Sequence, residues 1–166
     1  MTDKRQQLTL FVPEAFSGTI ELVRSQFNPI QHQLIAAHVT LCREDEITDI
    51  ETILHNLQKE SLAEITIHFD DIIRFQEGKG ALLPAFHADE SFQKLRQLIL
   101  AGSIEQPRNH EAHITLMHPR NATCTDEIFE ELQNLEFPKS ITFHEICLIE
   151  QEIGKEWKIL ERFPLQ

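Results

Sequence analysis

Apolar and polar residues change rhythm along this chain in a set order, and the order comes round twice. Leu8-Thr9-Leu10-Phe11-Val12 alternates with the two-residue period of a strand and stops at Pro13. Ser17 is placed to cap a helix reaching about Phe27, where Asn28-Pro29 ends it and a loop follows. A short strand, His38-Val39-Thr40-Leu41, comes next. From Thr48 to about Lys59 the residues Ile50, Ile53, Leu54 and Leu57 fall at helical spacing. The segment from Glu64 to Phe75 reads as a strand, and Gly78-Lys79-Gly80 turns it into another that runs to about His87.

The second half repeats this order. A helix from about Asp89 to Ala101 leads through a loop to the strand His113-Ile114-Thr115-Leu116. A helix from about Thr125 to Leu135 and a hairpin follow. The closing strand, about Trp157 to Phe163, corresponds to the one from Ala81 to His87. Side chains repeat as well as rhythm: Ile65-Thr66-Ile67-His68 returns as Ile141-Thr142-Phe143-His144, and the turn glycine Gly78 returns as Gly154. The expectation is one α+β domain of two pseudo-symmetric lobes, with strand-helix-motif-helix-hairpin units at about 7–76 and 80–151 and a closing strand at about 156–163. Two antiparallel sheets flanked by helices would then surround a central cleft.

Strand alternation gives the repeated tetrapeptide its chemical sense. His38 and Thr40 share one face, as do His113 and Thr115, while Val39, Leu41, Ile114 and Leu116 point into the packed layer behind. Each copy thus presents an imidazole that titrates near neutral pH beside a hydroxyl that can donate to an anionic oxygen. Continued alternation puts Cys42 and Met117 on the motif face as inert lining and turns Arg43 and His118 away from it. Those two remain secondary phosphate contacts, reaching in from the strand ends. Phe11 and Phe86 stand at equivalent places in the repeat and are candidates to stack on a base. The isolated His32, His55 and His87 read as structural, and so do His68 and His144.

Paired His-x-Thr-Leu motifs half a chain apart resemble those of the two-histidine (2H) phosphoesterases, nearest to the 2′-5′ RNA ligase-like branch. The resemblance implies a bilobal α+β fold and phosphodiester chemistry without a metal or cofactor. It makes His38 and His113 the catalytic pair and Thr40 and Thr115 phosphate ligands. The chain departs from the family where an arginine often follows the second motif by two residues, since His118 stands there; Arg43 follows the first motif instead.

Composition narrows the partners. With a net charge of −12 over 166 residues, a long duplex is an improbable ligand, because binding one requires many Lys and Arg contacts to phosphates. A basic neighbourhood nevertheless surrounds the second motif, from Arg108 and His110 to His118 and Arg120. A small nucleotide or short RNA end with a phosphodiester fits that contrast. The chain lacks an apolar leader or membrane stretch and has three scattered cysteines, so a cytoplasmic monomer without disulfides is expected. Two other readings exist: a nucleotide-binding module without turnover, and a metallohydrolase built on His110, His113 and His118. The latter lacks the helical His-Glu-x-x-His register and an obvious carboxylate ligand.

Overall fold

A computed structural model describes residues 3–59, 61–86 and 89–166. In chain order the elements are β1 (Lys4–Phe11), α1 (Glu14–Phe27), α2 (Pro29–Leu34), β2 (His38–Cys42), a 3-10 turn (Glu44–Glu46), α3 (Ile50–Lys59), β3 (Ile65–His68), β4 (Ile73–Phe75) and β5 (Gly80–Pro84). There follow α4 (Glu90–Leu100), β6 (His113–Met117), α5 (Asp126–Gln133), β7 (Ser140–Phe143), β8 (Glu145–Glu152) and β9 (Lys158–Pro164). Seven strands form one antiparallel sheet in the order β4-β5-β6-β2-β1-β8-β9, and β3 pairs with β7 in a second, small sheet.

The strand order reads alike outward from the β6-β2 seam. β5 flanks β6 as β1 flanks β2, β4 lies beyond β5 as β8 lies beyond β1, and β9 adds an outer strand on one side. Pairing registers repeat the relation. Val39 pairs with its repeat-equivalent Ile114, and Thr66 pairs with its equivalent Thr142 through hydroxyls 2.7 Å apart. An approximate two-fold axis therefore passes through both pairs, and the repeated segments meet each other. Apolar residues of the large sheet (Leu8, Leu10, Val39, Ile114), of the small sheet (Ile67, Ile141) and of the helices (Ile20, Ile53, Phe92, Leu132) join in one buried cluster.

Several boundaries differ from the rhythm of the sequence. Helix α1 starts at Glu14, three residues ahead of Ser17, with Pro13 as the extended N-cap residue that precedes it. The Ser17 hydroxyl instead donates to the Glu14 carbonyl inside the first turn. The expected loop after Phe27 contains α2, with Pro29 at its first position. Glu64–Phe75 divides into β3 and β4, which belong to different sheets. The break falls at Asp70-Asp71, where the Asp71 amide donates to the Asp70 carboxylate and competes with strand pairing. Helix α4 begins as read, since Asp89 accepts from the amides of Ser91 and Phe92. Gly78 and Gly154 take φ of +80° and +85° in their turns, a region costly for other residues. His87 lies outside the described residues. Among the described residues no helix is long and apolar enough to cross a membrane.

Candidate active site

The two motif strands lie side by side at the middle of the large sheet, joined by the Val39–Ile114 pair, and their polar residues emerge on its far side from the buried cluster. His38 and His113 are held alike. The Nδ1–H of His38 donates to the Ala36 carbonyl at 2.8 Å, and that of His113 to the Glu111 carbonyl at 3.0 Å. A carbonyl can only accept, so Nδ1 carries the proton in both neutral rings and Nε2 is the nitrogen left for proton transfer. Both rings line one cavity of about 290 Å³ together with Thr40 and Thr115.

Arg43 and His118 line the same cavity. Simple alternation would have turned them away, and a β-bulge in each motif strand reverses it. Thr9 faces Thr40, yet Leu8 faces Cys42, so Leu41 and Cys42 together oppose one residue. In the other strand Leu82 faces Thr115 and Ala81 faces Met117, which places Leu116 and Met117 in the same relation. The extra residue restarts the pleat one position late. Cys42 and Met117, expected as lining, are consequently buried in the core at 0% and 1% exposure. Burial pushes the Cys42 thiol up to about 12, so it stays protonated.

The two phenylalanines are separated. Phe11 packs edge-on to the His38 ring, with centroids 6.1 Å apart, and supports that imidazole from the side. Phe86 lies two residues beyond β5 and lines a different cavity, about 650 Å³, with Phe69 and Phe137. Register makes Pro84, not Phe86, the counterpart of Phe11: Pro84 faces His113 as Phe11 faces His38. The motif cavity is also walled by Arg5, Gln7, Arg24, Gln31, His110 and Trp157, none of which the repeat marks out. Of these, Arg24 was legible in part, as a lone arginine among Ile20 and Val23 on the apolar face of α1. Arg108 turns aside from the cavity to pair with Asp45 through two bonds of 3.0 and 2.8 Å.

The 2′-5′ RNA ligase superfamily family model matches residues 12–155, a span holding both His-x-Thr-Leu segments. The chain belongs to that superfamily. In this family of 2H phosphoesterases the fold extends to solved structures. Escherichia coli LigT in complex with 3′-AMP is 18% identical, with a TM-score of 0.67 over 98% of each chain. A crystal structure described as a phosphoesterase is 17% identical, with a TM-score of 0.69 over 99% of each chain. No curated protein sequence matches this one.

In this superfamily member the described lining of the cavity holds Arg5, Arg24, Arg43 and Arg120 against one carboxylate, Glu44, with Glu21 pairing Arg24 from behind, so cations outnumber carboxylates without counting the histidines. Burial, together with the charge of Arg24 and the neighbouring His113, outweighs the bond to Ala36 and lowers the His38 pKa to about 4. Burial likewise lowers His113, with Arg43 adding to the effect, and lowers His118 with Arg120 and Arg5. His110 is buried against His113 with ring centroids 6.1 Å apart, and its Nε2–H donates to the Thr40 carbonyl at 3.1 Å. Burial and the charges of Arg96 and Arg43 push it down to about 4, so it is neutral and acts as a brace between the motif strands. Among the described residues no three His, Cys, Asp or Glu side chains form a group suited to a metal ion, the trio His110, His113 and His118 included.

Proposed function

We propose that this protein opens small phosphodiesters, namely nucleoside 2′,3′-cyclic phosphates or short 2′-5′ linked RNA ends, with His38 and His113 as general base and general acid and without a metal. The supporting observation is the matched anchoring of both imidazoles through Nδ1, which leaves two Nε2 atoms and two threonine hydroxyls around one cavity. LigT, which shares the fold, has been crystallised with phosphate and with 3′-AMP, ligands of that size and charge. The net charge of −12 fits a small ligand rather than a long nucleic acid.

In hydrolysis of a cyclic phosphate, one neutral imidazole takes a proton from water as the water oxygen bonds to phosphorus. The bond from phosphorus to one ribose oxygen breaks, and the other imidazole, entering protonated, gives its proton to that oxygen. With a ribose 5′-hydroxyl in place of water, the same two transfers join two ends. Thr40 and Thr115 donate to the non-bridging oxygens as charge builds on them, and Arg43 and His118 hold the phosphate from the strand ends.

The test is turnover of a panel of 2′,3′-cyclic nucleotides and 2′-5′ dinucleotides in EDTA. H38A and H113A should each lose about 10²- to 10⁴-fold in kcat, and T40A or T115A about 10²- to 10³-fold. Variants of either histidine that keep most of the turnover would overturn the reading. A protein that binds these nucleotides tightly but turns none over is a binding module instead.

A further inference from the structure

The motif cavity is built asymmetrically although the strands that form it are symmetric. Beyond His113 lies a recess of about 330 Å³ whose walls, among the described residues, include Asp89, Glu111, Gln93 and Asn109 but no Phe, Tyr or Trp. On the His38 side the wall carries Trp157, delivered by the turn between β8 and β9. This indole is fixed rather than draped on the surface. Its backbone N–H donates to the Leu34 carbonyl at 2.9 Å, and the ring packs, like Phe11, against the buried cluster of Ile35, Cys147 and Ile149. Ile35 stands three residues before His38, so the indole and the imidazole are backed by the same wall.

Arg5 completes this end. Its guanidinium lies over the Trp157 ring, 5.0 Å from the centroid, so a base would stack on this layered guanidinium–indole pair, and it is tethered by Nε–H donation to Gln151 at 2.7 Å. Gln7 lies alongside, donating to Glu44 at 2.7 Å. Planar π and guanidinium surfaces beside amide and carboxylate groups are what a nucleobase requires: a face to stack on and hydrogen-bonding partners at its edge. An apolar pocket would recognise the ring without orienting it, and a purely charged one would bind phosphate alone. Among the described residues the outer strand β9 has no counterpart across the two-fold axis, because β5, to which the repeat matched it, lies opposite β1 instead, and the turn leading into β9 supplies the tryptophan.

We propose that Trp157 and Arg5 form the nucleobase subsite of the motif cavity, so that a nucleotide lies with its base on the His38 side and its phosphate between the two motifs. This rests on the phosphodiester reading of that cavity. Trp157 determines affinity for nucleotides over bare phosphate and takes no part in proton transfer.

The chain has one tryptophan and no tyrosine, so fluorescence excited at the indole band reports on this subsite alone. Titration with 3′-AMP should quench it, whereas inorganic phosphate should occupy the cavity, seen as shifts of the histidine ring signals in NMR, with little quenching. In calorimetry W157L should weaken 3′-AMP about 5- to 150-fold, the value of one stacked base, and leave the phosphate affinity unchanged. W157F, which keeps an aromatic face, should recover most of the loss. Unchanged indole emission at saturating 3′-AMP overturns the subsite, and so does a W157L variant that loses phosphate and nucleotide affinity in equal proportion. Failure of inorganic phosphate to shift any cavity histidine in the unmodified protein overturns the underlying phosphodiester reading instead, which separates the two failures.

Discussion

At the scale of single residues, the feature with most consequence is that the two motif imidazoles are neutral in the free protein at pH 7. Burial and neighbouring positive charge lower His38 to about 4 and displace His113 in the same direction. A reaction that needs one protonated and one neutral ring must therefore take up a proton as substrate binds, and the phosphate itself favours this, because an anion beside an imidazole stabilises its charged form. The sign follows for activity. The profile of kcat/KM reports the free protein, whose pair titrates below the ordinary 6.5, so its optimum should lie on the acid side of that value and fall about tenfold per pH unit above it. The profile of kcat reports the complex and should be displaced to higher pH. Rates measured from pH 4.5 to 8.5 decide the matter, and a kcat/KM that climbs steadily between 6.5 and 8.5 would contradict this assignment of protonation states.

At the scale of elements, the bulges in β2 and β6 decide which residues reach the cavity. They are invisible to alternation counting, because nothing in Leu41-Cys42 or Leu116-Met117 announces that two apolar residues will face the core in succession. That both strands carry the bulge at repeat-equivalent positions indicates a designed re-aiming of the residue that follows. Arg43 should therefore contact the bound phosphate directly. In calorimetry R43A should weaken inorganic phosphate by about tenfold or more, the value of a hydrogen bond to a charged group; unchanged affinity would place Arg43 outside the phosphate site. By contrast, the motif strands, α4 with its Asp89 cap, α5 with its Thr125 cap and the glycine turns were legible, because each has a local cause in a side chain or a φ angle. The parts that were not legible, α2, the split of Glu64–Phe75 and the exile of Phe86, depend on which sheet a segment finally joins. The place of Trp157 in the cavity was not legible for the same reason, since it comes from β8 pairing with β1 across the whole sequence.

At the scale of the whole molecule, the two halves share little backbone pairing at the seam, so side chains must hold the motifs in register. Arg96 on α4 is one such tie. It is 1% exposed and donates to the Leu41 carbonyl at 2.6 Å, to both oxygens of Glu46 at 3.0 and 2.6 Å, and to the Arg108 carbonyl at 3.0 Å. One guanidinium thus ties the end of the first motif strand to the loop that leads into the second. Glu46 passes the constraint on by accepting from the Arg43 amide at 3.0 Å. Burial alone would raise the Glu46 carboxyl, yet the bonds and charge of Arg96 prevail and hold it below the ordinary carboxylate value. The stabilisation from this carboxylate is therefore complete above about pH 4.5, where it is also ionised when unfolded, and is lost as pH falls through its lower folded value. Removing the arginine strands a buried charge, so R96M should lower unfolding free energy by about 3–5 kcal/mol in urea titrations at pH 7. Replacing both partners, as R96M/E46L, should regain most of that loss, because two apolar side chains leave no unpaired charge. The double variant should still lose activity, since nothing then fixes the Arg43 amide or ties Leu41 to Arg108. An R96M protein within 1 kcal/mol of the parent would mean that the seam is held elsewhere, for which the Asn28–Asn121 bond at 2.7 Å on the opposite flank is the structural alternative.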